Sequence, residues 1–155
     1  MLGRIYRRFL NDMHVDRAFA AAMESRHQDA LAILDRKVKD ADDLYYVRLL
    51  RGQLHEKSES FGDALQEFIA AHELISKATQ LSKVEKVYLE AFAAVSARRC
   101  AHRLPDAAAL PPGIIERLRI RLEKIDLRKI SGQIKAYFPL PEHPYWASEP
   151  DTDEP

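Results

Sequence analysis

The sequence predicts an all-α fold: antiparallel helical hairpins stacked into a short array, followed by a C-terminal helix and an extended Pro-rich tail. Three observations predict it. First, a short segment occurs twice, 34 residues apart: Asp29-Ala30-Leu31 with Leu34 behind it, then Asp63-Ala64-Leu65 with Phe68 behind it. Second, another small residue stands twelve positions before each of these alanines, Ala18 and then Gly52. Small residues at that spacing let two helices cross closely, and a bulky residue one turn further on fills the seam. Third, the 155 residues include only 5 glycines and are rich in Ala, Leu, Arg and Glu, a balance that favours helix over strand.

The elements follow in order. Leu2, Ile5, Phe9 and Met13 recur at helical spacing with Arg4, Arg7 and Arg8 opposite, which predicts an amphipathic helix over residues 2–13. The phase shifts near Val15, which predicts a bend or break there. Residues 15–25 and 28–39 form the first hairpin, and 43–57 and 61–76 the second. Ser60 and Asp63 occupy the places of a capping box. Ser82 with Glu85 opens a helix that runs to Leu104 and stops at Pro105. Its apolar stripe is Leu81, Val84, Tyr88, Ala91 and Val95; Arg98, Arg99, His102 and Arg103 gather at its C-terminal, negative end. The segment from Leu104 to Gly113 holds three prolines and is a connector.

A final helix runs from Ile114 to about Ser131, with an extension to Phe138 in reach. Ile115, Leu118, Leu122 and Ile125 share one side, and Leu127, Ile130 and Ile134 lie almost opposite. Either the helix bends near Asp126 or it lies between two neighbours. Residues 139–155 hold five of the eight prolines, which excludes regular helix. The chain thus divides into a single helical repeat domain, 1–138, and an extended acidic Pro-rich tail, 139–155.

The two hairpins resemble tetratricopeptide repeats (TPR). The second is the better match, with Gly52, Phe61, Ala64, Phe68 and Ala71 at the family's spacing and Tyr45 and Leu49 to Leu54 in its first helix. The first matches through Ala18, Ala30 and Leu34 but carries Lys37 where a small residue is usual. A third copy would need small residues near 86 and 98, where Lys86 and Arg98 stand, so a third unit is degenerate or absent. The resemblance implies a TPR-like, right-handed array whose concave face binds peptide segments or helices. Some members grip a C-terminal carboxylate with Lys and Asn on the inner helices. The corresponding places here include Val15, Phe19, Tyr46, Leu49, Leu50 and Gln53, which are mostly apolar, so an apolar or aromatic partner segment is expected instead.

Chemistry-bearing patterns are few. The six histidines form no His-Glu-x-x-His motif, and a single cysteine, Cys100, offers neither zinc spacing nor an internal disulfide. Cys100 and His102, two steps apart on a helix, point away from each other. Phosphate-cradling glycine loops and the Gly-x-Ser-x-Gly elbow are lacking. No catalytic residue, metal or cofactor is therefore expected. A lone cysteine, no secretory signal and no apolar run near the ~20 residues of a membrane span together predict a cytoplasmic protein.

Charge is unevenly spread. All 24 Lys and Arg lie at or before Lys135, whereas five of the 24 acidic residues follow it, so a body with a charge of plus five carries a tail of minus five. Arg117, Arg121, Lys124, Arg128 and Lys135 would make one positive stripe on a continuous helix. Tyr137-Phe138-Pro139-Leu140 and Pro144-Tyr145-Trp146 interleave aromatics with prolines, as suits an extended strand docking in a groove; residues 137–146 are expected to lie on the body.

These features predict a non-catalytic protein-binding module, an adaptor or chaperone-like protein, whose partner is another protein held by Phe19, Tyr46, Leu50 and Gln53. The alternative is a small regulatory protein contacting an anionic surface or nucleic acid through the basic C-terminal helix. Nucleic acid ranks low, because the excess charge is small and no aromatics interleave with the stripe. Membrane contact through residues 2–13 ranks below a role in capping the end of the array.

Overall fold

A computed structural model describes residues 2–104 and 113–140, with side chains except those of 2–12 and Ile115. The connector residues 105–112 and tail residues 141–155, with Tyr145 and Trp146, lie outside the described residues, as does the apolar face expected over 2–13. Among the described residues there are seven α-helices and no strand: α1 (Leu2–Met23), α2 (His27–Lys37), α3 (Tyr45–Lys57), α4 (Phe61–Lys77), α5 (Lys83–Ala101), α6 (Ile114–Glu123) and α7 (Gly132–Tyr137). Short 3-10 turns, Ala41–Asp43 and Leu127–Lys129, precede α3 and α7. None of these helices is long and apolar enough to cross a membrane.

Helix α1 pairs with α2, α3 with α4, and α4 in turn with α5. The turns that close the first two pairs match bond for bond. Ser25 and Glu59, 34 residues apart, both take a left-handed conformation at φ 61°. In the first turn the Ser25 N–H donates to Ala22 O at 3.0 Å and the Arg26 N–H to Ala21 O at 2.9 Å. In the second, the Glu59 N–H donates to Glu56 O at 3.0 Å and the Ser60 N–H to His55 O at 2.8 Å. These are the paired bonds of a Schellman motif, which satisfies the last carbonyls of the helix and reverses the chain. The geometry also explains why Ser60 makes no side-chain cap: its ψ of 68° is set by the motif, whereas Ser82, at ψ 160°, accepts from the Glu85 N–H as expected.

The seam residues behave as their spacing predicts. Ala18, Ala30, Leu34, Ala64 and Phe68 are all buried. A Cβ on Gly52 would sit 2.7 Å from Phe68 Cε1, so the larger ring of the second hairpin occupies room that Ala18 fills in the first. A polar clamp joins the two hairpins: Arg51 on α3 meets Asp35 of α2 at 2.6 Å and Asp42 of the 3-10 turn at 2.7 Å, and Arg48 meets Glu67 of α4 at 3.2 Å.

Helix α5 is apolar on every side and buried without interruption from Val87 to Ala97, not along a single stripe. It must therefore be covered on several faces. One cover is α4 and another is α6, whose Arg121 reaches the buried Glu90 at 3.1 Å.

Two expectations need correction. Helix α1 does not break near Val15: it is continuous from Leu2 to Met23. No Pro or Gly interrupts residues 10–23, so only the buried face changes, not the hydrogen-bond ladder. The last helix does not continue to Ser131. It stops at Glu123, because Asp126 takes the Arg128 N–H with its own carboxylate and Ser131 restarts a helix by capping the Ile134 N–H.

Candidate functional site

Three of the four expected partner contacts converge. Phe19 on α1, and Leu50 and Gln53 on α3, line one apolar pocket of about 50 Å³, with Ala18, Ala22 and Leu54 as its floor. The small residues Ala18 and Ala22 keep α1 low at this point and leave the space open. Met23, 69% exposed, and Lys57 form the rim. Tyr46 does not line this pocket; its ring stands edge-on to Tyr45 at 5.4 Å.

Beside the pocket lies the chain's own C-terminal segment. The Phe19 ring meets Tyr137 edge-on at 4.5 Å. The Gln53 amide donates to the Tyr137 carbonyl at 3.0 Å. From there the chain passes onto α5. The Tyr88 hydroxyl donates to the Phe138 carbonyl at 2.8 Å and accepts from the Leu140 N–H at 3.1 Å. Burial pushes the Tyr88 phenol above its ordinary range, which keeps the donating O–H intact. The Phe138 ring is buried and lies 5.5 Å from Phe92. Residues 137–140 thus cross α1, α3 and α5 with three backbone groups held by side chains. Tyr88 was legible in the sequence only as part of an apolar stripe. Its signal is that a tyrosine in a buried stripe must find a hydrogen-bond partner for its hydroxyl.

The five basic residues do not share one helix. Arg117 and Arg121 lie on α6, Lys124 caps it, Arg128 sits in the 3-10 turn and Lys135 on α7. Arg121 is committed to Glu90, Arg128 to Asp126 at 3.0 Å, and the Lys135 ammonium to the Leu127 carbonyl at 3.1 Å. The single stripe expected from spacing fails because its helix ends at Glu123.

A second, open cleft of about 680 Å³ lies over the Arg51 clamp, walled by Asp35, Arg36, Asp42, His55 and Glu67. Its main charges already pair across the two hairpins. Among the described residues no three His, Cys, Asp or Glu side chains gather as a group able to hold a metal ion. Cys100 is fully buried, and its thiol is pushed up to about 12 by burial and by the neighbouring Glu56 charge. Comparison of the chain with protein-family models, curated proteins and solved structures found no match.

Proposed function

We propose that this chain is a non-catalytic interaction module with TPR-like architecture, an adaptor or chaperone-like protein of the cytoplasm, that holds a segment of another protein across α1, α3 and α5. The architecture is supported by the hydrogen bonds shared by the two turns at a 34-residue offset and by the buried small residues at Ala18 and Gly52.

The observation that carries the reading is the open pocket between α1 and α3. At about 50 Å³ it accepts one aliphatic side chain. Sites for whole metabolites run roughly 300–1,000 Å³ and bring several polar groups to one point. Here the one polar group beside the apolar wall is an amide suited to a peptide backbone, that of Gln53. An exposed methionine on the rim fits a surface that adapts to its ligand.

The test is a random peptide library displayed against the full chain. Enriched peptides are then measured on Met23→Glu and Phe19→Ala variants. Met23 is exposed, so its replacement leaves folding intact while placing a charge at the pocket mouth. Peptides that lose at least about tenfold in affinity on both variants support the reading. A screen that yields no peptide sensitive to either variant overturns it.

A further inference from the structure

We infer that the partner segment is an extended peptide bearing two adjacent aromatic residues followed by proline and an aliphatic residue, and that residues 137–140 of the chain are an internal copy of it competing for the same seat. This rests on the reading above and names its ligand.

The first argument is how residues 137–140 are held. Their backbone is not paired in a sheet or a continuing helix. Gln53 takes the carbonyl of Tyr137, and Tyr88 takes the carbonyl of Phe138 and the N–H of Leu140. Side chains reading a backbone serve any segment in that conformation; the choice among segments falls to the pockets between them. Those pockets are aromatic seats, Phe19 for Tyr137 and Phe92 for Phe138. Proline at the third position holds the segment extended and removes an N–H that would have no acceptor there.

The second argument is that the internal copy fits incompletely. Tyr137 ends α7, so the residues before it are helical and cannot lie along the α1–α3 pocket. Lys135 and Ala136 are exposed, and the pocket beside Phe19 stays open. A ligand extended on both sides of the aromatic pair would fill it with an aliphatic side chain placed before the first aromatic.

The third argument is that the hold is local. No helix packs lengthwise against α7; beyond Ile130 and Ile134, the grip comes from residues 137–140 themselves. A segment held by few contacts opens without global unfolding. A tethered copy also acts at high effective concentration, so it weakens the apparent affinity of any external ligand until displaced.

The probe is a fluorescein-labelled synthetic peptide with the sequence of residues 132–140. It is titrated by anisotropy into the full chain and into the full-length Phe138→Ala variant, which empties the Phe92 seat. The expected result is saturable binding at least about tenfold tighter to the variant, reversed by adding Gln53→Ala. A folded variant that does not bind, or binds no better than the full chain, overturns the inference. If Phe138→Ala does not fold, hydrogen exchange on the unmodified chain decides. Excess unlabelled peptide should speed exchange of the Phe138 and Leu140 amides while leaving that of Leu89 unchanged. No change at those two amides overturns the inference. So does dimerisation of the full chain in sedimentation, which would assign the seat to a second copy. Failure here, with library peptides of other chemistry still sensitive to Met23→Glu, leaves the interaction module standing and removes only this ligand. Failure of both removes the module.

Discussion

The turn after α1 and the turn after α3 share every backbone bond, yet 34 residues beyond Glu59 the chain does not turn at all: Ala93 lies in the middle of α5. The trios at the first two places are Glu24-Ser25-Arg26 and Ser58-Glu59-Ser60, polar residues that face water while one of them adopts the left-handed conformation. The trio at the third is Phe92-Ala93-Ala94, apolar and buried. An apolar trio keeps its backbone bonds in the helix, because breaking them in a buried place leaves donors and acceptors without partners. The helix therefore overshoots, and the overshoot is put to use. Arg99 forks onto Glu56 near the end of α3 at 2.5 and 2.7 Å, and Arg103 lies over the Phe61 ring at 5.5 Å. The third helix thus ties down the second turn instead of repeating it.

The comparison can be broken most forcefully at the seam. Gly52→Leu should destabilise the fold by about 3 kcal/mol, because Phe68 already fills the space a side chain would need. Gly52→Ala and Phe68→Leu together recreate the Ala18 and Leu34 pair of the first hairpin. Chemical denaturation should show the double variant more stable than the sum of its parts by about 1–2 kcal/mol. Strict additivity would mean that glycine and ring are not reciprocal.

A middle-sized effect separates the third step from the first. His72, buried on α4, occupies the place that Val38 holds one repeat earlier. Burial lowers its pKa, against a smaller opposing pull from Glu90 on α5. Above the ordinary histidine value of about 6.5 both folded and unfolded chains hold it neutral, and its contribution is intact. Below that value the unfolded chain takes up the proton first, so stability falls as pH drops toward the lowered folded value. Denaturation midpoints at about pH 7.5 and about pH 5.5 should show this loss, and His72→Val should reduce it. An equal loss in both proteins would assign the acid sensitivity elsewhere.

The smallest effect tests the likeness of the two turns directly. Ser25→Gly and Glu59→Gly each relieve a left-handed residue and should raise stability by about 0.5–1 kcal/mol, equally within error. A gain at only one would show that the matching bonds conceal different strain.

The hairpins were legible because small-against-large packing at a seam is written in residue size, and size is visible in sequence at Ala18, Gly52, Leu34 and Phe68. The end of α6 was less legible, since Asp126 and Ser131 compete with a helix only through side-chain bonds whose geometry spacing does not show. At the site, Phe19, Leu50 and Gln53 were found from their helix positions, because one face of a helix follows from its period. Tyr88 and Phe92 escaped, because nothing local distinguishes a buried aromatic that packs in a core from one that also holds a distant segment. The turns at Ser25 and Glu59 escaped for a related reason: neither is glycine.

The burial of Cys100 has a kinetic consequence. Its thiol lies on α5, wholly covered, with a pKa of about 12, so almost none of it is thiolate at neutral pH. An alkylating reagent can modify it only during moments when α5 is uncovered. As this is the chain's one sulfhydryl, the rate of labelling in excess reagent counts those moments. The protein carries its own stopwatch for the opening of its most deeply covered helix, and adding a ligand for the neighbouring groove should make it run slow.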